Sequence, residues 1–161
     1  MEPERFVADV MVGKLARWLR VLGVDVLYDP RWTDPDLIGL ARRERRVLLT
    51  RDRPLARQPG EPERVLIESD DFRAQLRQVV SRFSLDRSGR LFTRCIECNH
   101  PLEKAPVEQV RERVPPYVWA TQASFKRCHS CDKIFWGGTH RDQMIRVLDS
   151  IFSDSPGRGR S

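Results

Sequence analysis

Long apolar runs are missing from this chain. None approaches the roughly eighteen consecutive apolar residues that a membrane span needs, so a membrane-embedded class is excluded and a soluble protein with no membrane partner is expected. An apolar leader is missing as well, because Met1-Glu2-Pro3-Glu4-Arg5 carries acids where such a segment would stand. The expected location is therefore the reducing cytoplasm, where disulfides do not persist. No internal repeat stands out beyond two short cysteine motifs.

Those motifs are Cys95-x-x-Cys98 and Cys128-x-x-Cys131, with 29 residues between the pairs. Each Cys-x-x-Cys bends the backbone so that both sulfurs face one point, and two such knuckles supply the four thiolates of a tetrahedral zinc site. The intervening stretch is longer than the commonest zinc spacing. Two disulfides fit a cytoplasmic chain poorly, and a redox dithiol needs one pair in a βαβ setting, whereas both pairs lie among polar, proline and aromatic residues. One structural zinc ion per chain is the expectation. His100, His129 and His140 are read as ordinary polar residues, since four thiolates already complete the ligand set.

Size allows one domain, or one domain with a small metal-stapled module that is too small to build its own core. Basic residues number 29 against 23 acids, for a net charge of +6, which suits a polyanionic partner through phosphate neutralisation. Arginine dominates, as in Arg42-Arg43, Arg45-Arg46 and Arg51-Asp52-Arg53. Its forked guanidinium favours nucleic acid over membrane, although a solvated basic face explains any single cluster as well.

The first half alternates strand and helix signals. Phe6-Val7-Ala8 reads as a strand ending at Asp9. Val12 to Leu22 reads as a helix with Leu15, Trp18, Leu19 and Leu22 on its buried stripe, stopped by Gly23. Asp25 to Tyr28 is a second strand, and Asp34-Pro35 reads as an N-cap and first helical residue of a helix through Leu37, Leu40 and Ala41. Val47-Leu48-Leu49 and Val65-Leu66-Ile67 are further strands, and Phe72, Leu76, Val79 and Phe83 share a helix face. This order predicts an α/β fold with an open, mostly parallel sheet. Past a linker at Asp86-Arg87-Ser88-Gly89 comes the cysteine-bearing part, with a hairpin strand at Lys133 to Trp136. A last helix carrying Met144, Val147, Leu148 and Ile151 is expected to pack back on the α/β body. The expected organisation is a core over 1–90, a zinc ribbon over 91–139, a C-terminal helix over 140–152 and a disordered tail over 153–161.

Chemistry in such a sheet gathers at the C-terminal ends of its strands. Asp9 and Asp52 sit at two of those ends, and Asp34, with Asp36 two residues on, can reach the same crevice. Carboxylates brought together there repel unless a divalent cation neutralises them, and hard oxygen ligands select Mg²⁺ or Mn²⁺. That chemistry suits phosphodiester hydrolysis; separate caps and turn residues are the alternative reading.

Several motifs in one order resemble a known family. They are Phe6-Val7-Ala8-Asp9, Gly13-Lys14-Leu15-Ala16-Arg17-Trp18-Leu19-Arg20, Leu48-Leu49-Thr50-Arg51-Asp52, Arg94-Cys95-x-x-Cys98-Asn99, Val114-Pro115-Pro116 and Phe125-x-Arg127-Cys128-x-x-Cys131-x-Lys133-x-Phe135-Trp136. From about Arg5 to Phe152 the chain resembles the C-terminal RNase domain of the mutator-seven exoribonuclease family. The resemblance implies a PIN-like nuclease fold with an inserted zinc ribbon and a metal-dependent ribonuclease whose products bear 5′-phosphate and 3′-hydroxyl ends. Carried over by position, Asp9 matches the acid after the first strand, Asp52 the acid of the Thr-x-Asp motif, and Asp34 the acid heading the intervening helix. Fuller PIN domains carry one more acid on an earlier helix. This chain has no clear equivalent, and Asp36, Asp70, Asp71, or His140 with Asp142 could stand in.

Lys14, Arg17 and Arg51 are candidates for RNA phosphate contacts. Trp119, Phe125 and Trp136 are candidates for stacking on unpaired bases, with packing around the metal module as the alternative. The expected partner is RNA, including transfer RNA or another structured RNA, with no oligomeric state implied. The rival expectations are an RNA-binding module with a vestigial acid cluster, or a zinc-stabilised adaptor.

Overall fold

The computed structural model describes residues 2–153; of the tail expected over 153–161, residues 154–161 lie outside the described residues. Two compact units divide the chain, the first ending at Asn99 and the second beginning at His100. The first contains β1 (Arg5–Ala8), α1 (Gly13–Val21), β2 (Asp25–Leu27), α2 (Asp34–Glu44), β3 (Val47–Thr50), α3 (Arg53–Arg57), β4 (Arg64–Leu66) and α4 (Phe72–Arg82). Its four strands are parallel and ordered β2-β1-β3-β4. The expected open α/β sheet flanked by helices is what this part of the chain forms.

The central strands explain the arrangement. Phe6, Val7 and Ala8 in β1 and Val47 to Thr50 in β3 are all buried, the mark of strands covered on both faces. Val7 pairs with Leu48 in register, and both join Leu37, Ala41 and Leu55 of α2 and α3 in one core cluster. The alternate residues face the other way, where the Phe6 ring meets Phe83 edge-on with centroids 4.9 Å apart. Burying a leucine such as Leu48 contributes about 1.5–3 kcal/mol.

Two helix starts differ from the sequence reading. A short 3₁₀ turn, Val10–Val12, precedes α1 and is capped by Asp9, whose carboxylate accepts the Met11 N–H; the helix itself starts at Gly13. For α2 the cap is Thr33 and not Asp34, because the Thr33 hydroxyl accepts the Asp36 N–H while Asp36 accepts the Thr33 N–H, a reciprocal capping box. Asp34 and Pro35 are the first two helical residues.

The second unit has an antiparallel sheet ordered β5-β6-β7, made of β5 (Glu103–Ala105), β6 (Phe125–Arg127) and β7 (Ile134–Trp136). Short helices α5 (Val107–Val110) and α6 (Pro116–Thr121) lie between β5 and β6, and α7 (Thr139–Ser153) follows β7. Ala105, Val110, Val114, Val118 and Phe125 form a core cluster of five residues. Among the described residues no helix is long and apolar enough to cross a membrane.

Candidate active site and metal centre

Parallel strands send every strand-to-helix connection of the first sheet out at one edge. In the order β2-β1-β3-β4 the chain leaves β1 toward one side and β3 lies on the other, so the topological switch point falls between β1 and β3. Asp9 follows β1, and Asp52 lies two residues past β3. Asp9 continues the ladder by donating its N–H to the Leu49 carbonyl at 3.0 Å. This sets it beside Thr50, whose hydroxyl donates to Asp9 Oδ2. The same hydroxyl oxygen accepts the Asp52 N–H at 2.9 Å. Asp52 Oδ1 in turn accepts the Leu55 N–H at 2.8 Å and caps α3.

One threonine therefore links the two sequence-predicted acids. Asp9 is only 5% exposed, and its partners are an amide and a hydroxyl, with no ion pair to a basic side chain among the described residues. A buried carboxylate without a counter-charge is costly, and each of its oxygens keeps acceptor capacity beyond these bonds. The donor set is one that a hard cation fits.

Asp34 heads α2 at the same sheet edge, where it is exposed, and no hydrogen bond among the described residues joins it to Asp9 or Asp52. Asp36 is also exposed, and its Oδ2 accepts from both the Thr33 N–H and the Thr33 hydroxyl, each at 2.8 Å. The backbone N–H bond first, and then the hydroxyl bond, hold its carboxyl below the usual range. The acids do not form a converging group of three among the described residues.

The basic candidates separate. Arg17 is exposed and pairs with Glu97 at 3.2 Å. Arg51 donates Nη1 to the Ile67 carbonyl at 3.4 Å. Lys14 is exposed, with its Nζ 4.3 Å from the Phe72 ring centroid. Trp18 stacks on the same ring, consistent with packing. Of the aromatics expected to stack on bases, Phe125 is fully inside the small core and Trp119 donates its indole N–H to the Val107 carbonyl at 3.0 Å. Both pack in the core cluster of the second unit. Trp136 alone of the three is exposed, at 39%.

The four cysteine sulfurs lie within 4.8 Å of one another. Zn–S bonds of about 2.3 Å put tetrahedral sulfurs about 3.8 Å apart, so the cluster could hold zinc with a small contraction. The thiols are not joined as disulfides, and no histidine enters the cluster; His129 instead meets Glu103 at 2.7 Å on the surface.

Both knuckles have the same backbone. Asn99 donates its N–H to the Cys95 carbonyl at 2.8 Å, and Asp132 does the same to Cys128 at 2.8 Å. Each of these residues has a positive φ, 74° for Asn99 and 62° for Asp132, the left-handed conformation that Asn and Asp tolerate best among residues with a side chain. The sequence reading missed this, and the signal was an Asn or Asp directly after each Cys-x-x-Cys.

A buried polar network holds the first knuckle. The Asn99 side chain accepts the Val26 N–H at 3.0 Å and donates to Asp25 Oδ1 at 2.7 Å. Arg46, 7% exposed, donates to the same Asp25 oxygen at 2.7 Å and to the Phe6 carbonyl at 3.2 Å. Arg20, also buried, donates to the carbonyls of Val26 at 2.9 Å and Ile96 at 3.0 Å, and Arg94 to those of Gly23 and Asn99. Burial pushes the Arg20 guanidinium down, while the thiolate charges of Cys98 and Cys95 act the other way. Its positive charge beside these sulfurs suits an anionic tetrathiolate centre. Burial alone would raise Asp25, but hydrogen bonds from Arg46 and Asn99 outweigh it and hold the carboxyl below the usual range.

A family model described as the Mut7-C RNAse domain matches residues 4–148. The chain belongs to that family. No curated protein and no solved structure matches the chain. Membership in a family of RNase domains points to a nuclease-type function with RNA as the substrate class, and the cysteine cluster agrees with the metal-binding motif on which the family resemblance partly rested.

Proposed function

We propose that this protein is a ribonuclease that hydrolyses RNA phosphodiester bonds with Mg²⁺ or Mn²⁺ at the Asp9–Asp52 mouth, and that its four cysteines hold a structural zinc ion. The observation that carries the reading is the Asp9–Thr50–Asp52 constellation at the switch point of the sheet. Two carboxylates are enough, because Mg²⁺ is commonly held by one or two carboxylates, with waters and substrate phosphate completing its shell.

The chain's own contribution is positional. Thr50 fixes the Asp9 carboxylate through its proton and the Asp52 backbone through its lone pair, while the Leu55 N–H orients the Asp52 carboxylate. Asp34 heads α2 on the same edge without joining the Asp9–Asp52 pair, and Asp36 serves the helix cap. A divalent cation bound at this mouth would supply water activation and neutralise charge on the phosphate oxygens in an in-line displacement.

The test uses labelled single-stranded and structured RNA with purified protein, with and without added Mn²⁺, beside Asp52→Asn. Cleavage that needs the metal and falls about a thousandfold or more in the variant, roughly 4 kcal/mol of transition-state stabilisation, is expected. Tight RNA binding with no metal-dependent cleavage would instead establish an RNA-binding module.

A further inference from the structure

Two cations at the edge bearing Asp9 and Asp52 stand where helix electrostatics disfavours them. Lys14 is the second residue of α1 and Arg73 the second of α4, and the partial positive charge of a helix N-terminus repels a cation there. Neither helix has an acid in its first turn; Asp71 caps α4, whereas α1 has no capping side chain. The two head groups also share one ring. Lys14 Nζ lies 4.3 Å and Arg73 Cζ 4.6 Å from the Phe72 centroid, and Trp18 stacks on that ring at 5.4 Å. Of the other arginines in this part of the chain, Arg17 pairs with Glu97 and Arg31 with Asp29. Lys14 and Arg73 are exposed and form no ion pair among the described residues.

Two cations gathered on one aromatic ring beside two helix starts make a setting that suits a phosphate anion. α1 follows Asp9 by way of the turn carrying Val10 and Met11, which are 56% and 58% exposed.

We propose that Lys14 and Arg73, organised by Phe72, grip the phosphate backbone of single-stranded RNA at the starts of α1 and α4, on the edge that bears the acidic mouth. This inference rests on the ribonuclease reading for its substrate. It also sets a path, with the strand crossing the starts of α1 and α4 and its scissile phosphate beside Asp9.

The experiment measures binding of a labelled single-stranded RNA oligonucleotide by anisotropy, in buffer without added Mg²⁺ or Mn²⁺, across a salt series. The proteins are wild type, Lys14→Gln, Arg73→Gln, the double variant and Arg82→Gln, and circular dichroism verifies that each is folded. Arg82 lies at the other end of α4, paired with Glu63, and controls for net charge. Each single variant should weaken binding about three- to tenfold and lower the log–log salt slope by about 0.7 for each phosphate it no longer neutralises, with the double variant lowering both further and Arg82→Gln matching wild type. Lys14→Gln and Arg73→Gln that behave like Arg82→Gln overturn the proposal, as does wild type that does not bind the oligonucleotide. Binding that follows the expected pattern without cleavage under Mn²⁺ would sink the nuclease reading and leave this surface standing.

Discussion

Asn99 and Asp132 hold the same place in the two knuckles, each one residue past the second cysteine, with positive φ and an N–H bonded back to the first cysteine's carbonyl. Their surroundings are opposite. Asn99 is 5% exposed and uses a neutral amide to satisfy a buried strand N–H and a buried carboxylate at once. Asp132 is exposed and pairs with Arg127 and Arg113 at the surface. Evolving a knuckle thus requires the left-handed residue, whereas its second job depends on the neighbourhood: a neutral side chain where water is excluded, a charged one where water screens it.

Removing the metal tests what the knuckles share and should have the largest effect. Metal analysis should find one zinc per chain. A strong chelator, or Cys128→Ser, should release the ion and abolish folding of residues 100–153, whose core cluster has five residues; structural zinc sites contribute on the order of 10 kcal/mol in small modules. Proteolysis that leaves this region intact after zinc loss would break the prediction. Next in size is Asn99→Asp, which sets a carboxylate against Asp25 and removes the amide donor. A loss of roughly 3–5 kcal/mol in denaturant melts is expected, and a stability within about 1 kcal/mol of wild type would show that the network is not what holds the first knuckle.

A third test uses acid. Asp25 has a depressed carboxyl pKa in the folded chain, so its contribution is fully present above the unfolded value of about 3.9 and is lost as pH falls through the lower folded value. Below about pH 4, wild type should lose stability more steeply than Asp25→Asn, and parallel pH curves for the two would contradict this. The smallest effect is expected from Asp132→Asn, which keeps the left-handed residue and removes only an exposed charge. Its thermal midpoint should move far less than that of Asn99→Asp. Equal shifts would erase the distinction between the knuckles.

The sheet was legible in the sequence because β1 and β3 carry the short apolar runs Phe6 to Ala8 and Val47 to Leu49 bounded by polar residues, the pattern of strands buried on both faces. Asp9 and Asp52 were legible for the same reason, as the first acids past those runs. The Thr50 bridge between them depends on the β1–β3 register, which periodicity does not reveal. Asp34 was read as a cap one residue too late because Asp-Pro outweighed Thr33, although Thr33 and Asp36 have the spacing of a capping box. Phe125 was read as a base-stacking candidate, yet it alternates inward on the middle strand of a three-stranded sheet and fills the small core. Arg20 and Arg46 were invisible as structural residues, since their buried partners come from other elements of the chain.

β2 borders its sheet, and only one of its sides is bonded to a neighbouring strand. An open border of this kind can recruit a strand from another molecule and seed aggregation. The Asn99 amide occupies the Val26 N–H in the middle of that border, so the knuckle also works as a plug against self-association. Protein prepared without zinc should therefore clump through this rim before its apolar centre comes apart.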